Sequence, residues 1–189
     1  MKTLKLLSVF IMLYMVSNFY PVKAQDFQQG YKNELLLGAF QLFNNSFYGS
    51  YERYYGNWGT SFTTAFTFRD SYDESKTGIL FQVSQKFYFN DVTADYGNFY
   101  FSPGLKYKYV EITGHNFTDR ITTYGFQIVG GVKYDVLERF VIDFYFGGKM
   151  DYSVIEQSGS EPGKYGNNYF SLGFTGVSPV INCTFGFRF

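Results

Sequence analysis

Of the 189 residues, 23 % are Phe, Trp or Tyr and only 17 % are charged, against about a quarter charged in ordinary soluble domains. Sixteen acids balance sixteen bases, so the chain has neither the basic excess of a nucleic-acid binder nor an acidic disordered tail. A single cysteine and a single histidine, His115, exclude a disulfide framework, a Cys-cluster metal site and a paired-histidine zinc motif, and no pattern for a bound cofactor occurs.

The N-terminus reads as an export signal over residues 1–24. Lys2 and Lys5 precede an almost unbroken apolar run from Leu6 to Phe19, Pro21 breaks it, and Val22-Lys23-Ala24 presents a small residue for cleavage before Gln25. The run falls short of the roughly 20 residues a spanning helix needs. Cleavage removes Lys2, Lys5 and Lys23 and leaves thirteen bases against sixteen acids. No cysteine follows the cleavage point, which argues against lipid attachment there. Residues 25–32 are expected to form a short N-terminal segment ahead of one domain, 33–189, with no linker.

From there the chain counts in twos. Glu34 to Phe43 is strand-like with an unclear parity at Leu35-Leu36-Leu37, and Phe47 to Tyr55 follows with Glu52 on its polar face. Trp58, Thr60, Phe62, Thr64, Phe66 and Phe68 alternate with Gly59, Ser61, Thr63, Ala65, Thr67 and Arg69. Ile79, Phe81, Val83, Phe87 and Phe89 alternate with Gln82, Ser84, Lys86 and Tyr88. Phe99, Phe101, Leu105 and Tyr107 face opposite Ser102, Gly104, Lys106 and Lys108. Tyr124, Phe126, Ile128 and Val132 oppose Gly125, Gln127, Gly131 and Lys133, and Phe140, Ile142, Phe144 and Phe146 oppose Asp143, Gly147 and Lys149. Ile181, Cys183, Phe185, Phe187 and Phe189 end the chain against Asn182, Thr184, Gly186 and Arg188. Period two means strands with one apolar and one polar face. Eight are predicted, with ten as the alternative if Tyr169–Thr175 forms a hairpin.

Two architectures use such strands and bury opposite faces. A soluble sandwich or lipocalin-like barrel turns the apolar face inward; a transmembrane barrel turns it to lipid. The apolar parity here is bulky and aromatic, the other rich in Gly, Ser and Thr, which suits a narrow lumen. Tyr54, Tyr55, Trp58, Tyr88, Tyr100, Tyr107, Tyr109, Tyr124, Tyr134 and Tyr152 sit near strand ends and are expected at the membrane interfaces. The fold class is therefore an all-β, antiparallel, up-and-down transmembrane barrel.

The closing strand Thr184-Phe185-Gly186-Phe187-Arg188-Phe189 resembles the C-terminal insertion signal of bacterial outer-membrane barrels, with Phe185, Phe187 and Phe189 as its residues. With Tyr51-Glu52-Arg53 and Lys86-Phe87-Tyr88-Phe89, it resembles the small eight-stranded outer-membrane β-barrel domain proteins, many without assigned function. The resemblance implies residence in the bacterial outer membrane, contact with its lipid and lipopolysaccharide, and handling by the barrel-assembly machinery; a monomeric or loosely associated chain is expected. It is nearly silent on activity.

With both termini periplasmic, Gly56-Asn57, Asn90–Asn98 and Asp135–Arg139 become inner turns. Asn44–Ser46, Arg69–Lys76, Glu111–Arg120 and Asp151–Ser178 become outer loops. Parity then places Glu52, Lys86, Lys133, Asp143 and Arg188 in the lower lumen. Isolated charges there are costly, so Glu52 and Asp143 are expected to accept from Lys86 and Arg188, closing the lumen. Arg69, Lys106, Lys108 and Lys149 form an upper-lumen basic group, with Asp151 its one acid. Such a group attracts anions, unless the loop acids Asp70, Asp73, Glu74, Glu111 and Asp119 neutralise it.

The expected role is non-enzymatic: envelope integrity or surface binding through the outer loops. A narrow solute channel is the second reading. A lipid-modifying enzyme using His115, oriented by Glu111 or Asp119 with Ser153 or Ser171 nearby, is the third. Asp70-x-x-Asp73-Glu74 lacks EF-hand spacing, and Ser158–Lys164 lacks the ending of a phosphate loop. Cys183 shares the parity of Phe185 and is expected to face lipid.

Overall fold

The computed structural model describes residues 32–38, 46–71, 74–89, 97–136, 139–159 and 173–189. The export signal, nearly all of 25–32, Asn44-Asn45, Asp73, most of Asn90–Asn98 and residues 160–172 lie outside these.

Eight strands follow in order: β1 (Asn33–Gly38), β2 (Ser46–Tyr55), β3 (Trp58–Asp70), β4 (Glu74–Tyr88), β5 (Asn98–Gly114), β6 (Phe117–Asp135), β7 (Phe140–Gly159) and β8 (Gly176–Arg188). Each pairs antiparallel with its neighbour in sequence, and β8 closes on β1 from Glu34↔Arg188 to Gly38↔Thr184, so the sheet is a closed barrel. Closure leaves no unpaired strand edge, which a membrane-spanning sheet requires. At the β2–β3 turn Gly56 adopts φ +67°, a conformation that favours glycine.

Alternation sorts the two faces as expected. Phe62, Phe66, Phe81, Leu105, Phe126, Phe144 and Ile181 point outward and are exposed, while Ser61, Thr63, Ser84, Ser102 and Gln127 are buried in the lumen. Apolar side chains exposed on this scale do not face water; the strands span a membrane. Register marks the upper boundary of the span: Tyr107 lies opposite Tyr124, and Tyr124 opposite Tyr152, in one outward row across β5, β6 and β7. Below, Tyr55 stacks on Trp58 with ring centroids 4.5 Å apart beside the β2–β3 turn. Between Tyr124 and Tyr134 on β6 lies the reach of roughly ten tilted residues that crosses a bilayer core.

Above the tyrosine row the strands continue and the alternation inverts. Val110, Ile112 and Ile121 now point inward as a buried apolar cluster flanked by Phe117 and Ile155. Arg120 points outward, where water replaces lipid. This inversion corrects the predicted loops. Glu111–Arg120 is almost all strand, turning at His115-Asn116, and β7 runs on to Gly159, well into the predicted Asp151–Ser178 loop. Arg69–Lys76 contracts likewise, with β3 ending at Asp70 and β4 starting at Glu74. Polar residues there imitate loop composition because a strand wall standing in water needs a polar outer face.

Three tyrosines are also corrected. Tyr54, Tyr88 and Tyr100 are buried in the lumen, because they share the parity of Glu52, Lys86 and Ser102; nearness to a strand end does not override parity. Cys183 keeps its outward parity but is only 5 % exposed, so it is not a lipid-facing residue.

Candidate functional site

The lower lumen is filled by a charged network that the register assembles from six strands. Glu34 lies opposite both Glu52 and Arg188, and Lys133 lies opposite Asp143. Lys133 Nζ reaches Glu34 Oε1 at 2.9 Å and Glu52 Oε2 at 2.8 Å, and donates to the Tyr54 hydroxyl at 2.6 Å. Lys86 Nζ sits 2.8 Å from both Glu52 Oε2 and Asp143 Oδ2. Arg188 Nε bonds Glu34 Oε2 at 3.1 Å, and its Nη1 reaches Asp135 Oδ2 at 2.8 Å.

The tyrosines complete the set. Tyr54 donates to Glu34 Oε2 at 2.5 Å, Tyr88 to Glu52 Oε1 at 2.5 Å and Tyr100 to Asp143 Oδ1 at 2.7 Å. Every carboxylate oxygen of Glu34, Glu52 and Asp143 thus accepts a hydrogen bond. The rings also pack on one another, Tyr54 to Tyr88 at 5.7 Å and Tyr88 to Tyr100 at 5.5 Å. Lys86 lies over the Tyr100 ring at 4.6 Å and Lys133 over the Tyr54 ring at 4.9 Å, within cation–π range. Three buried acids meet three buried bases, so the buried part of the layer is neutral, the condition under which buried charge is tolerated; Asp135, which also bonds Arg188, stands exposed.

All five predicted members, Glu52, Lys86, Lys133, Asp143 and Arg188, meet here. The pairing differs in one respect: Arg188 bonds Glu34 and Asp135 rather than Glu52 or Asp143. Glu34 is the residue sequence reasoning missed, because Leu35-Leu36-Leu37 hid the parity of β1. Counting back from Leu36, which is buried, to Glu34 would have found it.

Above this layer lies a cavity of about 30 Å³ lined by Ser50, Thr63, Ser84, Ser102, Gln127 and Thr184 among others, room for about two water molecules. Beside it Tyr48 and Tyr145 share a hydroxyl contact of 3.1 Å, and Asn182 donates to Tyr145 at 2.6 Å.

The basic group lies higher, just inside the tyrosine row. Lys106 Nζ is 2.8 Å from Asp151 and Lys149 Nζ is 3.5 Å from the same carboxylate. Gly125 stands between Lys106 and Asp151 on the intervening strand; a Cβ there would meet Asp151 Oδ1 and lie 2.5 Å from Lys106 Cε, so a larger residue would require the pair to shift. Lys108 points into the same space and makes no ion pair or hydrogen bond among the described residues. Arg69 does not join: it shares the parity but stands exposed near the upper end of β3, opposite Lys76. Lys76, whose polar surroundings resemble a loop in sequence, takes the inner face of β4 instead, and its charge acts on Lys108. The expected neutralisation by Glu111 and Asp119 does not occur. Glu111 bonds Arg120 at 2.9 Å on the outer face, which holds its carboxyl below the usual glutamate range. Asp119 is fully buried with neither oxygen bonded among the described residues, and desolvation pushes its carboxyl above the usual range.

His115 occupies the exposed β5–β6 turn. Its proposed orienting groups are engaged or turned away: Glu111 with Arg120, Asp119 into the wall. Ser153 bonds Thr123 at 2.8 Å and the Phe174 carbonyl at 3.1 Å; Ser171 lies outside the described residues. Phe185, Phe187 and Phe189 face outward at the β8 end, and Phe187 meets Phe140 edge-on at 5.4 Å.

No protein-family model and no curated protein matches the chain. Among solved structures, the attachment invasion locus protein Ail of Yersinia pestis is similar at 14 % identity and TM-score 0.47, over 84 % of this chain and 99 % of that one. A major outer membrane protein from Thermus thermophilus is similar at 14 % identity and TM-score 0.47, over 85 % of this chain and 100 % of that one.

Proposed function

We propose that this chain is a sealed barrel of the bacterial outer membrane that contributes to envelope integrity and meets partners through its outer face. The observation that carries the sealed state is the lower-lumen layer, in which every acid oxygen of Glu34, Glu52 and Asp143 is bonded. Opening a path through it means breaking several buried charge-assisted bonds at once, each pair costing about 3–5 kcal/mol to split. Export through the signal at residues 1–24, insertion by the assembly machinery through Phe185, Phe187 and Phe189, and residence as a monomer among lipid and lipopolysaccharide accompany this reading. Surface binding is supported by the tall β5–β7 wall, which carries Tyr109, Glu111 and Arg120 beyond the tyrosine row.

The test is conductance of the folded protein in a planar bilayer. Insertion without current steps is expected. Stable single-channel steps that change in Glu52→Gln would establish the narrow channel in its place. The lipid-modifying reading predicts an altered lipid A mass that depends on His115; an unchanged mass on expression of the protein is expected.

A further inference from the structure

We propose that the upper lumen is a binding site for a phosphate group, held by Lys106, Lys108 and Lys149 with the Ser178 hydroxyl donating from β8. The lower layer of the same lumen balances its charges; this one does not. Among the described residues three lysines share one acid, Asp151, which takes Lys106 at 2.8 Å and Lys149 at 3.5 Å. Lys108 is left with the positive charges of Lys106, Lys149 and Lys76 around it and no bonded partner among the described residues. A closed lumen that concentrates like charges is unfavourable unless an anion enters.

Ser178 supplies an independent observation. It lies opposite Lys149 in the β7–β8 register, is 5 % exposed on the inner face, and its hydroxyl has no partner among the described residues. A buried hydroxyl without a partner is uncommon and calls for an explanation; a bound oxyanion provides the acceptor. Lysine ammoniums and one hydroxyl, with a carboxylate already shared between two of them, suit a compact, highly charged oxyanion better than a large or planar one. Lys106 and Lys108 flank Tyr107 of the outer tyrosine row on the inner parity, so the site belongs to the outer end of the lumen, the side from which inorganic phosphate or the phosphate of a surface glycolipid would come.

The experiment uses the protein purified from membranes in nonionic detergent, with inorganic phosphate titrated and read by phosphorus NMR line broadening. Saturable broadening is expected, weakened at least about tenfold in Lys108→Met and in Lys149→Met, and by a smaller factor in Ser178→Ala. Asp151→Asn removes the competing carboxylate and should tighten binding, a gain that misfolding cannot imitate. Heat-modifiable gel migration checks that each variant is folded. Displacement of phosphate by lipopolysaccharide assigns the site to a glycolipid phosphate; no displacement assigns it to the free ion. Absence of saturation below roughly 100 mM phosphate, or equal broadening in Lys108→Met, overturns the proposal.

Discussion

The lower and upper halves of the lumen are built from the same elements: lysines and carboxylates on the inner parity of neighbouring strands. They reach opposite electrostatic outcomes. Below, Lys86, Lys133 and Arg188 are matched by Glu34, Glu52 and Asp143, with three tyrosine hydroxyls on the remaining acceptor positions. Above, Asp151 is the one acid among the described residues that faces Lys106, Lys108 and Lys149. Burial penalises charge in both places, so what distinguishes a plug from a vestibule is the count of counterions, not the presence of lysine.

The same substitution should therefore have opposite consequences at the two levels. Lys133→Met leaves Glu34 and Glu52, both fully buried, without their shared cation. It is expected to lower the unfolding free energy by about 3–5 kcal/mol, measured by urea unfolding in lipid vesicles. Tyr100→Phe removes one bond to Asp143 and keeps the ring; about 1.5–3 kcal/mol is expected. Gly125→Val drives a side chain between Lys106 and Asp151, and overpacking of this kind costs about 1–3 kcal/mol. Lys108→Met severs no pair and relieves repulsion. It should leave stability within about 0.5 kcal/mol of the parent or raise it, and a loss comparable to that of Lys133→Met would erase the distinction between the two levels.

Parity made the lower layer legible. Glu52, Lys86, Lys133, Asp143 and Arg188 all alternate with bulky apolar neighbours, so the two-residue period alone sends them inward. Where the period was blurred, by the leucine run of β1, Glu34 was lost. Where the outer environment changes from lipid to water, the polarity of the alternation flips and the strand imitates a loop; this hid the upper ends of β5, β6 and β7. Tyr54, Tyr88 and Tyr100 were misplaced for a different reason. Tyrosine suits both an interface and a lumen rich in carboxylates, so residue type does not decide between them, while parity does. The bond between Arg188 and Glu34 depends on the β8–β1 closure, a contact between the two ends of the barrel that no local pattern specifies.

Asp119 offers the smallest and most specific test. It stands among inward apolar residues of the upper wall, opposite Ile112, and desolvation raises its carboxyl above the ordinary aspartate range. Between that ordinary range and the raised value, the folded protein holds a proton that the unfolded chain has released. Stability contributed by this group therefore falls as pH rises through the window. Asp119→Asn carries no such proton. Its midpoint in urea minus that of the parent should grow from about pH 3 upward and level off once Asp119 is ionised. A difference that stays constant with pH would mean that the carboxyl titrates normally and that the upper wall admits water around it. The contrast with Glu111 sharpens the point. That acid belongs to the same turn region but faces outward to Arg120, which depresses its carboxyl, so its contribution is lost only as pH falls. Two acids near one turn, on opposite faces of one wall, should then give pH dependences of opposite sign.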